Sequence, residues 1–167
     1  MVTGDYYGQI SIFNLSFSSL SPINIFKAHS DGFVYRIKQS PFIQSRNFVA
    51  TCSETVKIWD SSSPFNWTLI RTYSNQSVVY DMEWLDEDTV ISCGCVLETI
   101  KIWSISTGQT KKTIQNVPKD EYVSVLKLLS NKIHLAVGCD YYPTINKHFQ
   151  YKRWKFSFNS SRTCNMD

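Results

Sequence analysis

The sequence predicts an all-β fold assembled from repeated four-stranded antiparallel sheets. Three observations carry that reading. First, an alternating β-branched segment that ends in an aromatic recurs, with Phe13, Trp59 and Trp103 spaced by 46 and 44 residues. Second, a valine-led segment recurs in phase with it, with Val34, Val79 and Val123 spaced by 45 and 44 residues. Two independent markers with one period establish an internal repeat. Third, no stretch of the chain shows the 3.6-residue periodicity of an amphipathic helix.

Each element follows in chain order. Ile10-Ser11-Ile12-Phe13-Asn14 alternates as a half-buried strand does, and Ile23 to Lys27 follows it. Val34-Tyr35-Arg36-Ile37 opens the next unit. Phe48-Val49-Ala50-Thr51, Val56-Lys57-Ile58-Trp59-Asp60 and Trp67 to Tyr73 complete it. The third unit repeats that order as Val79-Tyr80-Asp81-Met82, Thr89-Val90-Ile91-Ser92, Ile100-Lys101-Ile102-Trp103-Ser104 and Gln109 to Ile114. Val123-Ser124-Val125-Leu126 and His134-Leu135-Ala136-Val137 begin a fourth. Short polar connections separate the strands, among them Ser40-Pro41, Leu85-Asp86-Glu87-Asp88, Ser106-Thr107-Gly108 and Ser130-Asn131.

Four short antiparallel strands per ~40–45 residues is the pattern of a propeller blade. Each blade stacks between two neighbours, so both faces are largely buried and the aromatic supplies a large apolar area to one of them. On these residues the sequence resembles the WD-repeat β-propeller family over about residues 3–140. Lys57-Ile58-Trp59-Asp60 is the family's strand-end motif, Lys101-Ile102-Trp103-Ser104 and Ser11-Ile12-Phe13-Asn14 are weaker copies, and Ala28-His29 looks like its Gly-His dipeptide. The resemblance implies a hydrogen-bonded network of Trp59 with the loop residue His29 and the strand residue Thr51. The network's turn Asp is replaced by Ser53, and by Leu97 one unit later. Tyr73-Ser74 and Val117-Pro118 stand where later units would carry the His. Apolar packing is therefore expected to hold these blades more than the network does.

The repeat breaks at both ends. Residues 3–14 are read as a third strand with none before it. Beyond Pro143 the period calls for an aromatic near position 148, where His148 stands. Two readings remain: a divergent tail, which is favoured, or a displaced strand at Trp154-Lys155-Phe156-Ser157-Phe158-Asn159. The expected organisation is a partial propeller and incomplete ring: a half blade at 1–27, blades at 28–74 and 75–117, a partial blade at 118–143, and a basic aromatic tail at 144–167. A fragment of a larger propeller, needing further WD blades from elsewhere, is the expected context.

Composition narrows the function. The 167 residues are 43% hydrophobic and 19% charged, a globular balance with no apolar run long enough to cross a membrane. No signal peptide is read at the N-terminus, so the expected location is cytoplasmic or nuclear. The net charge of +3 is uneven: residues 1–143 carry 12 basic and 13 acidic side chains, while residues 144–167 carry five basic residues and Asp167. A neutral body argues against a nucleic-acid footprint across the whole domain. Lys152, Arg153 and Lys155 interleave with Tyr151, Trp154, Phe156 and Phe158, which leaves nucleic-acid binding through the tail as the alternative reading. Cys52, Cys93, Cys95, Cys139 and Cys164 are odd in number and lack a Cys-x-x-Cys pair, so reduced thiols are expected rather than disulfides or zinc. The sequons at Asn14, Asn66, Asn75 and Asn159 carry little weight without a signal peptide.

No catalytic constellation emerges. The six glycines never approach a phosphate-loop spacing, and no Gly-x-Ser-x-Gly turn occurs. The acidic run Asp81, Glu83, Asp86, Glu87 and Asp88 lacks the glycine bend of a calcium loop and reads as a solvated hairpin turn. The expectation is a non-catalytic protein–protein interaction scaffold with no metal or cofactor, other proteins as partners and no membrane contact. Candidate contact residues lie where loops meet strands: Asp31, Phe33, Tyr35 and Arg36 in one blade, Tyr80 and Asp81 in the next. Packing between blades is the alternative for each of them. The adaptor-docking Trp-Asp-x-Arg motif of some family members is absent, because Ser61-Ser62 follows Trp59-Asp60.

Overall fold

The computed structural model describes residues 1–16, 21–30, 32–42, 46–74, 78–94, 99–115, 121–131, 133–141 and 153–157. Every regular element among them is a strand, and the strands form four antiparallel sheets. The first holds β1 (Val2–Gly4), β2 (Gln9–Phe13) and β3 (Pro22–Lys27). β4 (Arg36–Gln39), β5 (Phe48–Cys52), β6 (Thr55–Asp60) and β7 (Thr68–Ser74) make the second. The third repeats it with β8 (Val79–Trp84), β9 (Thr89–Gly94), β10 (Thr99–Ser104) and β11 (Thr110–Gln115). β12 (Glu121–Leu128), β13 (His134–Tyr141) and β14 (Arg153–Ser157) make the fourth. The sheets stack in chain order and, among the described residues, do not close into a ring.

Alternation along each strand builds the stack. Ile10 and Ile12 of the first sheet meet Trp59 of the second, with Val34, Ile37 and Phe26 around them. The opposite face of β6, carrying Val56 and Ile58, meets Val79, Met82, Val90 and Trp103 of the third sheet. Ile100 and Ile102 then meet Val123, Leu126, Leu135 and Val137 of the fourth. Each tryptophan thus looks back at the preceding sheet while the isoleucines beside it look forward. Gly4 lets the first two sheets approach closely, since a Cβ there would stand 2.6 Å from the Val34 side chain.

Register makes the repeat visible in three dimensions. Trp59 lies opposite Val49 and Trp103 opposite Val90. Pairing with the outer strand slips immediately before the aromatic in all three copies, at Ile12/Phe13, Ile58/Trp59 and Ile102/Trp103. Such a bulge adds local twist and re-aims the residue that follows it.

Two strands depart from the sequence reading. Val2–Gly4 is a strand that pairs with Ile10 to Ile12, although none was expected before β2. Three residues are too few to show an alternating pattern. At the other end the departure is from the favoured tail only: Arg153–Ser157, within the displaced-strand alternative, pairs with β13 and puts Phe156 opposite Leu135. Phe156 therefore occupies the register slot of Trp59 and Trp103, displaced by a longer connection.

Asp81 marks where the sheets converge. Expected on a contact surface, it is instead buried, at 1% exposure. Its Oδ1 receives the Met82 amide at 2.8 Å and lies 2.9 Å from Lys38 Nζ and 3.3 Å from Arg36 Nε. The Leu126 amide donates to its Oδ2 at 2.9 Å. One carboxylate of the third sheet thereby holds the inner strands of the second and fourth. Removing one partner from a buried charged cluster strands the others, at a typical cost of about 3–5 kcal/mol. Asp81→Ala is therefore expected to lower the urea midpoint of unfolding sharply. Asp81→Asn, which keeps an acceptor for Leu126, is expected to lose less.

Candidate protein-binding surface

Around Trp59 the loop His, the strand Thr and the indole are in contact. Trp59 Nε1 donates to Thr51 Oγ1 at 3.0 Å, and His29 Nε2 lies 2.8 Å from the same oxygen. Thr51 Oγ1 thus accepts from the indole and shares a second hydrogen bond with His29 Nε2, while His29 Nδ1 lies 3.5 Å from Thr55 Oγ1. Gly8 holds this loop: its carbonyl accepts the Ala28 and His29 amides at 2.9 and 3.0 Å. Its φ of +81° and a Cβ position 2.5 Å from the His29 carbonyl both require glycine. Burial, aided by the Lys57 charge, pushes His29 down to about 4. Asp60 accepts from the Ser62 amide and hydroxyl, at 2.9 and 2.6 Å, and those bonds hold its carboxyl below the usual range.

The third sheet repeats the residues without the bonds. Ser92 takes the slot of Thr51, since Thr51 lies opposite Lys57 and Ser92 opposite Lys101. Yet Ser92 Oγ and Trp103 Nε1 are buried with no hydrogen-bond partner. Trp103 instead stacks on Tyr73, 4.4 Å between ring centroids and 5° between planes. Tyr73 stands where the sequence lacks a second loop His, and its hydroxyl bonds Thr110 Oγ1 at 2.6 Å. The turn acid Asp88 is also engaged. It accepts from Ser104 Oγ at 2.6 Å and the Ser106 amide at 2.7 Å, so this turn is tied down rather than simply solvated.

A continuous row of rings runs across one end of the stack. Tyr6 and Tyr7, in the β1–β2 turn, contact each other, and Tyr6 lies 6.1 Å from Phe33. Phe33 lies 5.7 Å from Tyr35, Tyr35 lies 5.3 Å from Tyr80, and Tyr80 lies 5.2 Å from Tyr122. Every sheet contributes, and the last three rings sit at or just before the starts of β4, β8 and β12. Tyr6 and Tyr7 are each 55% exposed and Phe33 is 53% exposed. Three of the candidate contact residues, Phe33, Tyr35 and Tyr80, belong to this row. Arg36 lies beside it with its guanidinium on Asp81, and Asp31 lies outside the described residues. Sequence reasoning missed Tyr6, Tyr7 and Tyr122. A usable signal existed for Tyr122, which precedes Val123 as Phe33 precedes Val34.

Of the remaining repeat positions, Phe13 is half-buried at the end of β2. Cys52, Cys93 and Cys139 are buried free thiols, and burial pushes the first two up. Cys95, Cys164 and Leu97 lie outside the described residues, as do Tyr151, Lys152 and Phe158 of the tail. Among the described residues, no group of three or more His, Cys, Asp or Glu is placed to hold a metal. No helix among them is long and apolar enough to cross a membrane.

Stacked sheets of up to four antiparallel strands, whose inner strands β4, β8 and β12 meet at one buried carboxylate, have the architecture of a β-propeller. Residues 20–60 match the family model described as WD domain, G-beta repeat. The match covers one repeat, and the fold as a whole is that of a WD40 β-propeller. The chain is similar in fold to the WD40 beta propeller domain of Doa1, with a TM-score of 0.64 and 20% identity over 93% of this chain and 51% of that one. It is also similar to a chain in the crystal structure of the Mitotic Checkpoint Complex, with a TM-score of 0.71 and 16% identity over 99% of this chain and 49% of that one. The chain therefore spans about half the length of each. No curated protein matches it.

Two predictions follow from the network. The unfolded chain protonates His29 near its ordinary value of about 6.5, while the folded protein keeps it neutral down to about 4. Below pH 6.5 the unfolded state therefore binds the extra proton, and stability falls until about pH 4, by roughly 3 kcal/mol. Chemical denaturation across that range is expected to show a decline that His29→Gln flattens. Trp59→Phe breaks a buried bond that Trp103→Phe does not, so it should cost about 1 kcal/mol more. Equal losses would show that the bond contributes nothing.

Proposed function

We propose that this chain is a non-catalytic protein–protein interaction scaffold whose contact surface is the row Tyr6, Tyr7, Phe33, Tyr35, Tyr80 and Tyr122. The observation that carries this reading is the continuity of the row: rings from four sheets meet at one end and half of them stay exposed. Exposed aromatic side chains offer large contact area for little lost entropy and dominate binding hot spots. Stacked sheets suit such a surface because they fix loop ends without needing a mobile element.

The same reading takes residues 28–74 and 75–117 as blades, 1–27 and 118–143 as incomplete ones, and the chain as part of a larger propeller. Its span of about half of each matched structure supports that context. Further WD blades would then be one partner, and the cytoplasm or nucleus the location.

Bound proteins can be recovered from cell extract with the wild-type chain and identified by mass spectrometry, then compared with Phe33→Ala and Tyr6→Ala. Losing a hot-spot ring costs about 2 kcal/mol, roughly thirtyfold in affinity. Both sites are exposed, so the unfolding midpoints are expected to stay unchanged. Identical recovery by wild type and both variants would overturn the row as the contact surface.

A further inference from the structure

The aromatic row has a chemistry that selects among the conformations a bound polypeptide can take. The rings stand in single file. Neighbouring centroids from Tyr6 through Phe33, Tyr35 and Tyr80 to Tyr122 lie 5.2 to 6.1 Å apart, in tilted or edge-on contact. They do not gather round one point, as the rings of a cage for a cation do.

The charges in contact with the row are already engaged. Arg36 reaches Asp81 and the Tyr35 carbonyl, each at 3.3 Å. Lys27 Nζ donates to the Tyr7 carbonyl. Arg36 and Lys27 are too few for a nucleic-acid backbone, whose binding draws on several cations. Asp5 accepts the Tyr7 and Gln9 amides and Asp81 is buried, so neither carboxylate is open to a basic segment. What the row offers is flat ring faces and hydroxyl donors. Tyr6 and Tyr7 share one hydrogen bond between two hydroxyls, so one proton remains for an outside acceptor.

An added β-strand needs a strand edge to pair along, whereas the row crosses the starts of β4, β8 and β12. A polyproline II segment needs no such edge. Its backbone carbonyls are unpaired acceptors, proline has no N–H to satisfy, and its fixed φ leaves little entropy to lose. It presents the same side every three residues, about 9 Å, against roughly 10 Å between alternate rings of the row. We propose that the row binds an extended proline-rich segment of a partner in the polyproline II conformation. Its proline rings lie between the rings of the row, and its carbonyls accept from tyrosine hydroxyls. The inference rests on the row being the contact surface and adds what it contacts.

The test uses the intact chain with ¹³C-labelled tyrosine rings. The Tyr35 and Tyr80 signals are assigned by their loss in Tyr35→Phe and Tyr80→Phe. The probes are uncharged: N-acetyl-octaproline amide, and an N-acetyl Gly-Ser octapeptide amide that lacks the preformed helix. Octaproline is expected to shift both signals to saturation at roughly millimolar peptide, and the Gly-Ser peptide to leave them in place. Phe33→Ala should weaken octaproline about tenfold, the loss of one stacked ring. Phe65→Ala, in the β6–β7 connection and 69% exposed, should leave it unchanged. No shift with octaproline, an equal shift with the Gly-Ser peptide, or unchanged binding in Phe33→Ala would overturn the proposal. If octaproline fails while Phe33→Ala and Tyr6→Ala still lose proteins recovered from extract, the row remains the contact surface and only its ligand class is wrong.

Discussion

The stack depends on how charge is handled where its inner strands converge. Wide apolar side chains fill the space between sheets farther out, but near the convergence three strands bring their backbones close together. Asp81 resolves that crowding by accepting from its own strand at Met82, from the next strand at Leu126, and from the basic side chains of the previous strand. A carboxylate buried alone would be costly; with two cations and two amides around it, it becomes a fixed point. Nearby, the thiols of Cys52 and Cys93 are small and buried, so they leave room for it. The positions of the second, third and fourth sheets relative to one another, and with them the spacing of Tyr35, Tyr80 and Tyr122, depend on this junction.

That junction was written in the sequence in a form that the strand pattern does not reveal. Two residues beyond each leading valine stand Arg36, Asp81 and Val125. Four residues beyond stand Lys38, Glu83 and Lys127. Read along one strand, these are unrelated polar residues. Read across copies, the second slot runs cation, anion, cation, and the structure pairs those neighbours through Lys38–Glu83 and Lys127–Glu83. A repeat aligned for its conserved-looking hydrophobics hides this, because the slot is informative only through its differences. Asp81 was read as a contact residue for the same reason: a charge near a loop looks exposed until its partners on other strands are known.

Other features were legible because their signal is local. The β-branched alternation before Trp59 and Trp103 reflects one fully buried face, with Lys57 and Lys101 on the other, and it appears in any window of five residues. His29 and Thr51 were found because a family motif ties them to Trp59. β1 escaped notice because three residues carry no period. The strand holding Phe156 was half legible: the alternating run from Trp154 offered it as a displaced strand, but the longer connection broke the period and favoured a divergent tail. The aromatic row was half legible: Tyr35 and Tyr80 each follow a leading valine, whereas Tyr6 and Tyr7 sit in a turn and carry no periodic mark.

The unequal treatment of Trp59 and Trp103 separates packing from hydrogen bonding within one chain. Both rings are buried and both look back at the preceding sheet. Only Trp59 bonds the strand hydroxyl. In the third sheet a tyrosine replaces the imidazole and covers the indole face to face, burying the ring without satisfying its N–H. Since that sheet still pairs all four strands, the network is not what makes a sheet of this stack form. What the network adds at Trp59 is orientation. His29, Thr51 and Gly8 together anchor the loop that leads to Phe33 and Tyr35, and thereby fix the exposed middle of the aromatic row. The sheet with the bonds supplies the row's exposed phenylalanine, and the sheet without them supplies the half-buried Tyr80, which leans on its neighbours instead.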